Sequence, residues 1–91
     1  MKRDVISLVA KLRSRRKYQE AADLLREAIE DKSITKTIRE QLSYELGVIL
    51  SNQLIDKASA CKHWGRHRKR YADGRYQSEV SSAETRLGCT F

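Results

Sequence analysis

The chain has no proline and only four glycines, so little in it obliges the backbone to break, and helix is expected to run almost uninterrupted. No apolar run approaches the ~20 residues that a membrane-spanning helix requires, which excludes a span of that kind. The opening Met1-Lys2-Arg3-Asp4 leads into a pattern carrying Lys11, Arg13 and Arg15, so no signal-peptide pattern is expected there. Neither a Gly-rich phosphate loop nor a nucleophile elbow occurs. A thin helical fold also encloses little space from which water is excluded. An enzyme is therefore not expected, and no cofactor is implied. Ninety-one residues are enough for one domain with a small core and too few for two.

What the chain does have is helical periodicity. Asp4 to about Arg15 places Val5, Leu8, Val9 and Leu12 on one face. After the polar turn Arg15-Arg16-Lys17, Tyr18 to about Asp31 aligns Tyr18, Ala21, Leu25 and Ala28. Residues 32–36 read as a linker. Thr37 and Glu40 then make a Thr-x-x-Glu capping box for a third helix, whose stripe is Ile38, Leu42, Leu46, Ile49 and Leu50. Leu54 and Ile55 are expected to cover the end of the core. Asp56 is a good N-cap for a fourth helix with Ala60, Trp64, His67 and Tyr71 on its buried side. Asp73-Gly74 breaks that helix. A fifth is expected from about Arg75 to Leu87 through Tyr76, Val80 and Ala83, with Gly88 as its C-terminal cap. The fold class is all-α. Gly47 costs roughly 1 kcal/mol relative to Ala inside a helix, so its place in Leu-Gly-Val-Ile-Leu predicts a second helix passing too close for a side chain.

The pattern occurs twice. Tyr18, Ala21, Leu25 and Ala28 are spaced three, four and three apart, and Ala60, Trp64 and His67 repeat the last three positions, a small residue preceding a large one. On these residues the chain resembles a tetratricopeptide-repeat protein, a family of stacked helix-turn-helix units of about 34 residues. Val5, Leu8, Leu12, Tyr18, Ala21, Leu25 and Ala28 match one repeat. Leu46, Gly47, Leu50, Ala60 and Trp64 match a second, with one extra residue in its turn. Ala72 to Tyr76 resembles the inter-repeat turn, with Ala72 where the family usually has Pro. The resemblance implies a single domain over residues 1–91, a right-handed solenoid with repeats at about 2–35 and 36–73. A capping helix at about 75–88 would cover the exposed end. The Ala-Asp-Gly-Arg-Tyr-Gln-Ser-Glu-Val stretch resembles repeats in bacterial cell-envelope proteins and membrane-associated regulators of transcription.

Charge is plentiful and uneven: 19 Lys and Arg against 12 Asp and Glu give +7. The basic residues concentrate before Tyr18 and between Lys62 and Arg75, whereas Glu20, Asp23, Glu27, Glu30 and Asp31 make the second helix acidic. Lys62, Arg66, Arg68, Lys69 and Arg70 form a basic patch of the kind that tracks phosphates. Trp64 and Tyr71 fall on the buried stripe and leave mainly charge outside, so the same patch also reads as a solvated helix face. Cys61, His63 and His67 have partial metal-ligand spacing, but zinc needs a fourth ligand and His67 points to the core, so no metal is predicted. Cys61 and Cys89 sit at ends that meet if helices four and five are antiparallel. They are then either a disulfide, which favours an oxidising compartment such as the periplasm, or two reduced thiols in a cytoplasmic protein.

The resemblance further implies a concave groove lined by the first helix of each repeat. Its residues would be Arg3, Ile6, Ala10, Arg13, Gln41, Tyr44, Val48, Ser51 and Asn52. With cations, amides and one exposed aromatic, this surface suits an extended peptide carrying acidic groups. The expected function is that of a non-enzymatic adaptor binding a protein or peptide through the groove or an exposed end. The alternatives are electrostatic nucleic-acid binding through the basic fourth helix and a structural homodimer.

Overall fold

A computed structural model describes residues 4–89, and every regular element among them is helical. In order these are α1 (Val5–Ser14), α2 (Tyr18–Ile29), α3 (Lys36–Val48), a π-helical turn (Ile49–Gln53), α4 (Lys57–Arg70) and α5 (Gln77–Leu87). At the starts of α1, α3 and α4 a side chain satisfies a free backbone N–H. Asp4 and Asp56 cap α1 and α4 in the same way: one carboxylate oxygen accepts the N–H of Ser7 or Ser59 at 3.1 Å, and the other accepts that serine's hydroxyl at 2.7 Å. Both carboxyls are held below the usual range, first by the serine hydroxyl and then by the backbone bond. Gly88 ends α5 at φ 71°, and the Cys89 and Gly88 amides return to Glu84 O at 2.9 Å and Thr85 O at 3.1 Å, a Schellman motif.

Several boundaries differ from the expected ones. The cap of α3 is Thr35, whose hydroxyl accepts from the Ile38 N–H at 3.4 Å, so the helix starts before Thr37. Glu40 cannot complete a capping box because its carboxylate accepts the Arg75 N–H at 2.6 Å from across the molecule. That bond, together with the Gln77 side-chain amide donating to Tyr71 O, delays α5 to Gln77. Helix α2 stops at Ile29 because Asp31 folds onto the amide and hydroxyl of Ser33 at 2.9 and 2.7 Å. Ile38 is 39% exposed and leaves the apolar stripe. Leu54 packs on the core as expected, but Ile55 is 78% exposed. Its φ of 51° turns it away from the core.

Each helix packs on the next, α1 on α2, α2 on α3, α3 on α4 and α4 on α5. Side chains also link alternate helices. Arg13 reaches Glu45 at 3.6 Å between α1 and α3, and Tyr44 of α3 stacks on Tyr76, the residue before α5, with ring centroids 4.4 Å apart. Arg70 of α4 grips Glu30, just after α2, through two bonds of 3.2 and 3.3 Å. The Cα envelope measures 39 × 29 × 16 Å. Its least dimension is that of two packed helices, since an interaxial distance of 8–10 Å plus a Cα radius of about 2.3 Å on either side gives about 14 Å.

The core runs from Val9 through Ala21, Leu25, Leu42, Ile49 and Trp64 to Val80. Its closest approach is between Gly47 of α3 and the Trp64 indole of α4. A Cβ at position 47 would lie under 3.0 Å from three indole carbons, a distance that real Cβ atoms essentially never show. The indole N–H donates to Ser51 at 3.2 Å, and the Ser51 hydroxyl donates to the Gly47 carbonyl at 2.7 Å, so the ring's polar edge is tied to the glycine it covers. Past Gly47 the chain widens into the π-helical turn. Leu54 N bonds Ile49 O and Asp56 N bonds Leu50 O, both at 2.9 Å.

Candidate functional site

The residues expected to line a groove fall into two groups. Arg3 lies outside the described residues. On α1, Ile6 is 41% exposed and Ala10 is exposed, while Arg13 is held by Glu45. Gln41 donates to the same Glu45 carboxylate at 3.4 Å. The second group converges: Tyr44, Val48, Ser51 and Asn52 line one depression of about 330 Å³. Its other wall is α5, through Ser78, Glu79, Ser82 and Arg86. Tyr44 is not the exposed aromatic expected from the sequence. It is half-buried between Tyr76 and the Trp64 ring, 5.8 Å away, and forms the floor at that end. The α5 residues carry no sequence signal of their own, because which helix lies beside α3 depends on how the pairs stack.

On the side formed by α2 and α4 the basic residues separate. Lys62, Arg66, Lys69 and Arg70 all line a cleft of about 750 Å³, and Arg68 points instead to α5, where it meets the buried Glu84 at 3.4 Å. Positions 62, 66 and 69 are four and three apart and so share one helix face. From α2 and the residue after it the cleft receives Arg26, Ile29 and Glu30, while Ser43 and Leu46 of α3 and Leu50 of the π-helical turn form its floor. Arg26 was not singled out by the sequence, since it lies in an otherwise acidic helix and pairs there with Asp23 at 3.2 Å. The Glu30 grip raises the Arg70 pKa, chiefly through its hydrogen bond.

Two histidines and a serine sit together on the cleft floor. Ser43 is buried between them: its hydroxyl is 2.7 Å from His67 Nδ1 and 3.2 Å from His63 Nε2, and its carbonyl is 2.7 Å from the same His63 nitrogen. A carbonyl only accepts, so neutral His63 carries its proton on Nε2 and donates it there. The Ser43 hydroxyl, facing that N–H, directs its own proton to His67 Nδ1, which leaves the His67 proton on Nε2. That nitrogen is buried and has no hydrogen-bond partner among the described residues. Burial lowers the pKa of both rings to about 4; for His63 the nearby charges of His67, Arg66 and Arg26 add to the effect, against its bond to Ser43. The Ser43 hydroxyl is only 2% accessible as a residue and is engaged on both sides, so it has no room to act as a nucleophile. Its signal in the sequence is slight: Ser43 and Gly47 are small residues four apart, opposite bulky His67 and Trp64.

The two cysteines lie at bonding distance, with a Cα separation of 5.5 Å, and join the start of α4 to the residue after Gly88. The left-handed turn at Gly88 is what delivers Cys89 to Cys61. With its sulfur in the disulfide, Cys61 has no thiolate to offer beside His63 and His67. Among the described residues no group of three or more His, Cys, Asp or Glu is arranged to hold a metal ion. No helix is long and apolar enough to cross a membrane, again among the described residues. No family model, curated protein or solved structure matches the chain.

Proposed function

We propose that this protein is a tetratricopeptide-like, non-enzymatic binding module that holds an extended segment of a partner protein between α3 and α5. The observation that carries this reading is the convergence of Tyr44, Val48, Ser51 and Asn52 on one open depression walled by Ser78, Ser82 and Arg86. These four residues are among those that the repeat register assigns to a concave surface; Ile6, Ala10, Arg13 and Gln41 do not line the depression. An apolar Val48, an exposed Asn52 amide and serine hydroxyls suit the alternating apolar and amide groups of an extended peptide. Alternate helices linked by Arg13–Glu45, Tyr44–Tyr76 and Arg70–Glu30 are compatible with a short solenoid, with α5 as its closing helix. The disulfide belongs to an oxidising compartment, which supports the cell-envelope setting implied by the resemblance of the turn beginning at Ala72 and the helix after it.

The test is selection of a displayed library of unstructured peptides on the oxidised protein. Asn52→Arg combined with Ser82→Arg introduces two exposed bulky cations without touching the core. Selected peptides are expected to share a pattern and to lose binding to this variant, while binding to Lys69→Glu is unchanged. Failure to enrich any peptide, or equal binding to the groove variant, would overturn the groove assignment.

A further inference from the structure

From the α2–α4 cleft we infer a second binding site, one that holds a compact anion bearing several phosphate groups. Three observations meet there. Lys62, Arg66 and Lys69 line it from successive turns of α4, over about 10 Å of helix axis, and none of the three makes an ion pair among the described residues. Arg26 enters from α2, and the only carboxylate in the lining is that of Glu30, which is already committed to Arg70. Arg26 keeps its pair with Asp23, but Lys62, Arg66 and Lys69 stand near one another without counter-charges and repel, an unfavourable arrangement that a bound anion relieves. The His67 ring lies on the floor, and its buried Nε2 is a donor whose desolvation is not compensated among the described residues.

The shape selects the size of the ligand. About 750 Å³ lies within the range of small-ligand pockets. The Arg70–Glu30 bond bridges α2 and α4 at the C-terminal ends of both helices, so the cleft is closed there rather than open for a strand to pass. Binding of single-stranded nucleic acid relies on aromatic platforms, and Trp64 of α4 and Tyr71 just after it are buried. Arg68, which would extend the basic track, is turned to Glu84. A phosphate chain needs cations and N–H donors along a short path, which is what this cleft supplies.

Inorganic tripolyphosphate is the probe. Calorimetric titration of the full oxidised chain is expected to show one saturable site whose affinity falls as salt is added, and ring-proton NMR is expected to show the His63 and His67 signals moving together with saturation. Arg66→Glu with Lys69→Glu, both exposed, should weaken binding by about tenfold or more through charge reversal at the site. Lys11→Glu, an exposed cation on α1, should leave it unchanged, as should the Asn52→Arg/Ser82→Arg groove variant. A titration without saturation overturns the site. So does an equal loss with Lys11→Glu, or binding that leaves the histidine signals unmoved. Oligonucleotides that bind more tightly with length, at the expense of tripolyphosphate, would replace it with a nucleic-acid surface. Circular dichroism at each variant's working temperature separates loss of binding from loss of fold.

Discussion

Trp64 occupies the space that a side chain at position 47 would fill, and the Gly47 carbonyl in turn anchors the Ser51 hydroxyl to which the indole N–H donates. The glycine is thus a packing requirement of one specific tryptophan. Gly47→Ala gains roughly 1 kcal/mol of helix propensity but must move the indole. Overpacking of this kind outweighs the gain, for a net loss on the order of 2 kcal/mol. In a Trp64→Leu background the same change should become neutral or stabilising. Urea titration of the four corners of this cycle tests it, and additive effects would show that the two residues are not coupled.

Stability should fall as pH drops from about 6.5 toward 4. Above pH 6.5 both His63 and His67 are neutral folded or unfolded. In the window between the ordinary value of 6.5 and the folded value of about 4, the unfolded chain takes up protons that the buried rings refuse. The loss is at most on the order of 3 kcal/mol per ring by pH 4. Asp4 and Asp56 act outside this window: their pKa values lie below the ordinary 3.8, so what they add is lost only as pH falls further. Urea midpoints from pH 7.5 to 4 measure the slope, which a His63→Gln/His67→Gln variant should flatten.

Neither cysteine should react with an alkylating agent under denaturing conditions until reductant is added, as read by intact mass. Cys61→Ser with Cys89→Ser frees a loop of 28-residue separation and should cost about 3–4 kcal/mol in the loop-entropy estimate. Hydrogen exchange should show the loss first in α5, whose other ties to α4 include the Arg68–Glu84 pair. An unchanged melting temperature would show that α5 docks without the bridge.

Ile55→Asn should stabilise the protein by about 1 kcal/mol. Ile55 sits at φ 51° with 78% of its surface exposed, so the substitution relieves backbone strain and removes little packing. A loss of stability on thermal unfolding would mean that the isoleucine makes a contact this geometry does not contain.

The apolar spacing alone determined the all-α class, the buried residues of α4 and, in α2, Ala21, Leu25 and Ala28 but not Ala22 and Ile29, because a helix can bury only one face and Ala21, Leu25, Ala60, Trp64 and His67 recur with its period. The sequence also determined the caps formed by Asp56 and Gly88, since those contacts close within a few residues. The tertiary structure decided whatever depends on a partner distant in sequence. Thr37 and Glu40 have the spacing of a capping box, but a carboxylate takes the strongest available donor, and for Glu40 that is the Arg75 amide 35 residues away. The five residues of the basic patch, Lys62, Arg66, Arg68, Lys69 and Arg70, lie close together in sequence. Stacking divides them, sending Arg68 to Glu84 and Arg70 to Glu30, and leaves Lys62, Arg66 and Lys69 facing Arg26 across a cleft. Periodicity fixes which face of a helix is apolar, whereas the neighbour that the other face meets is set by how the helices pack.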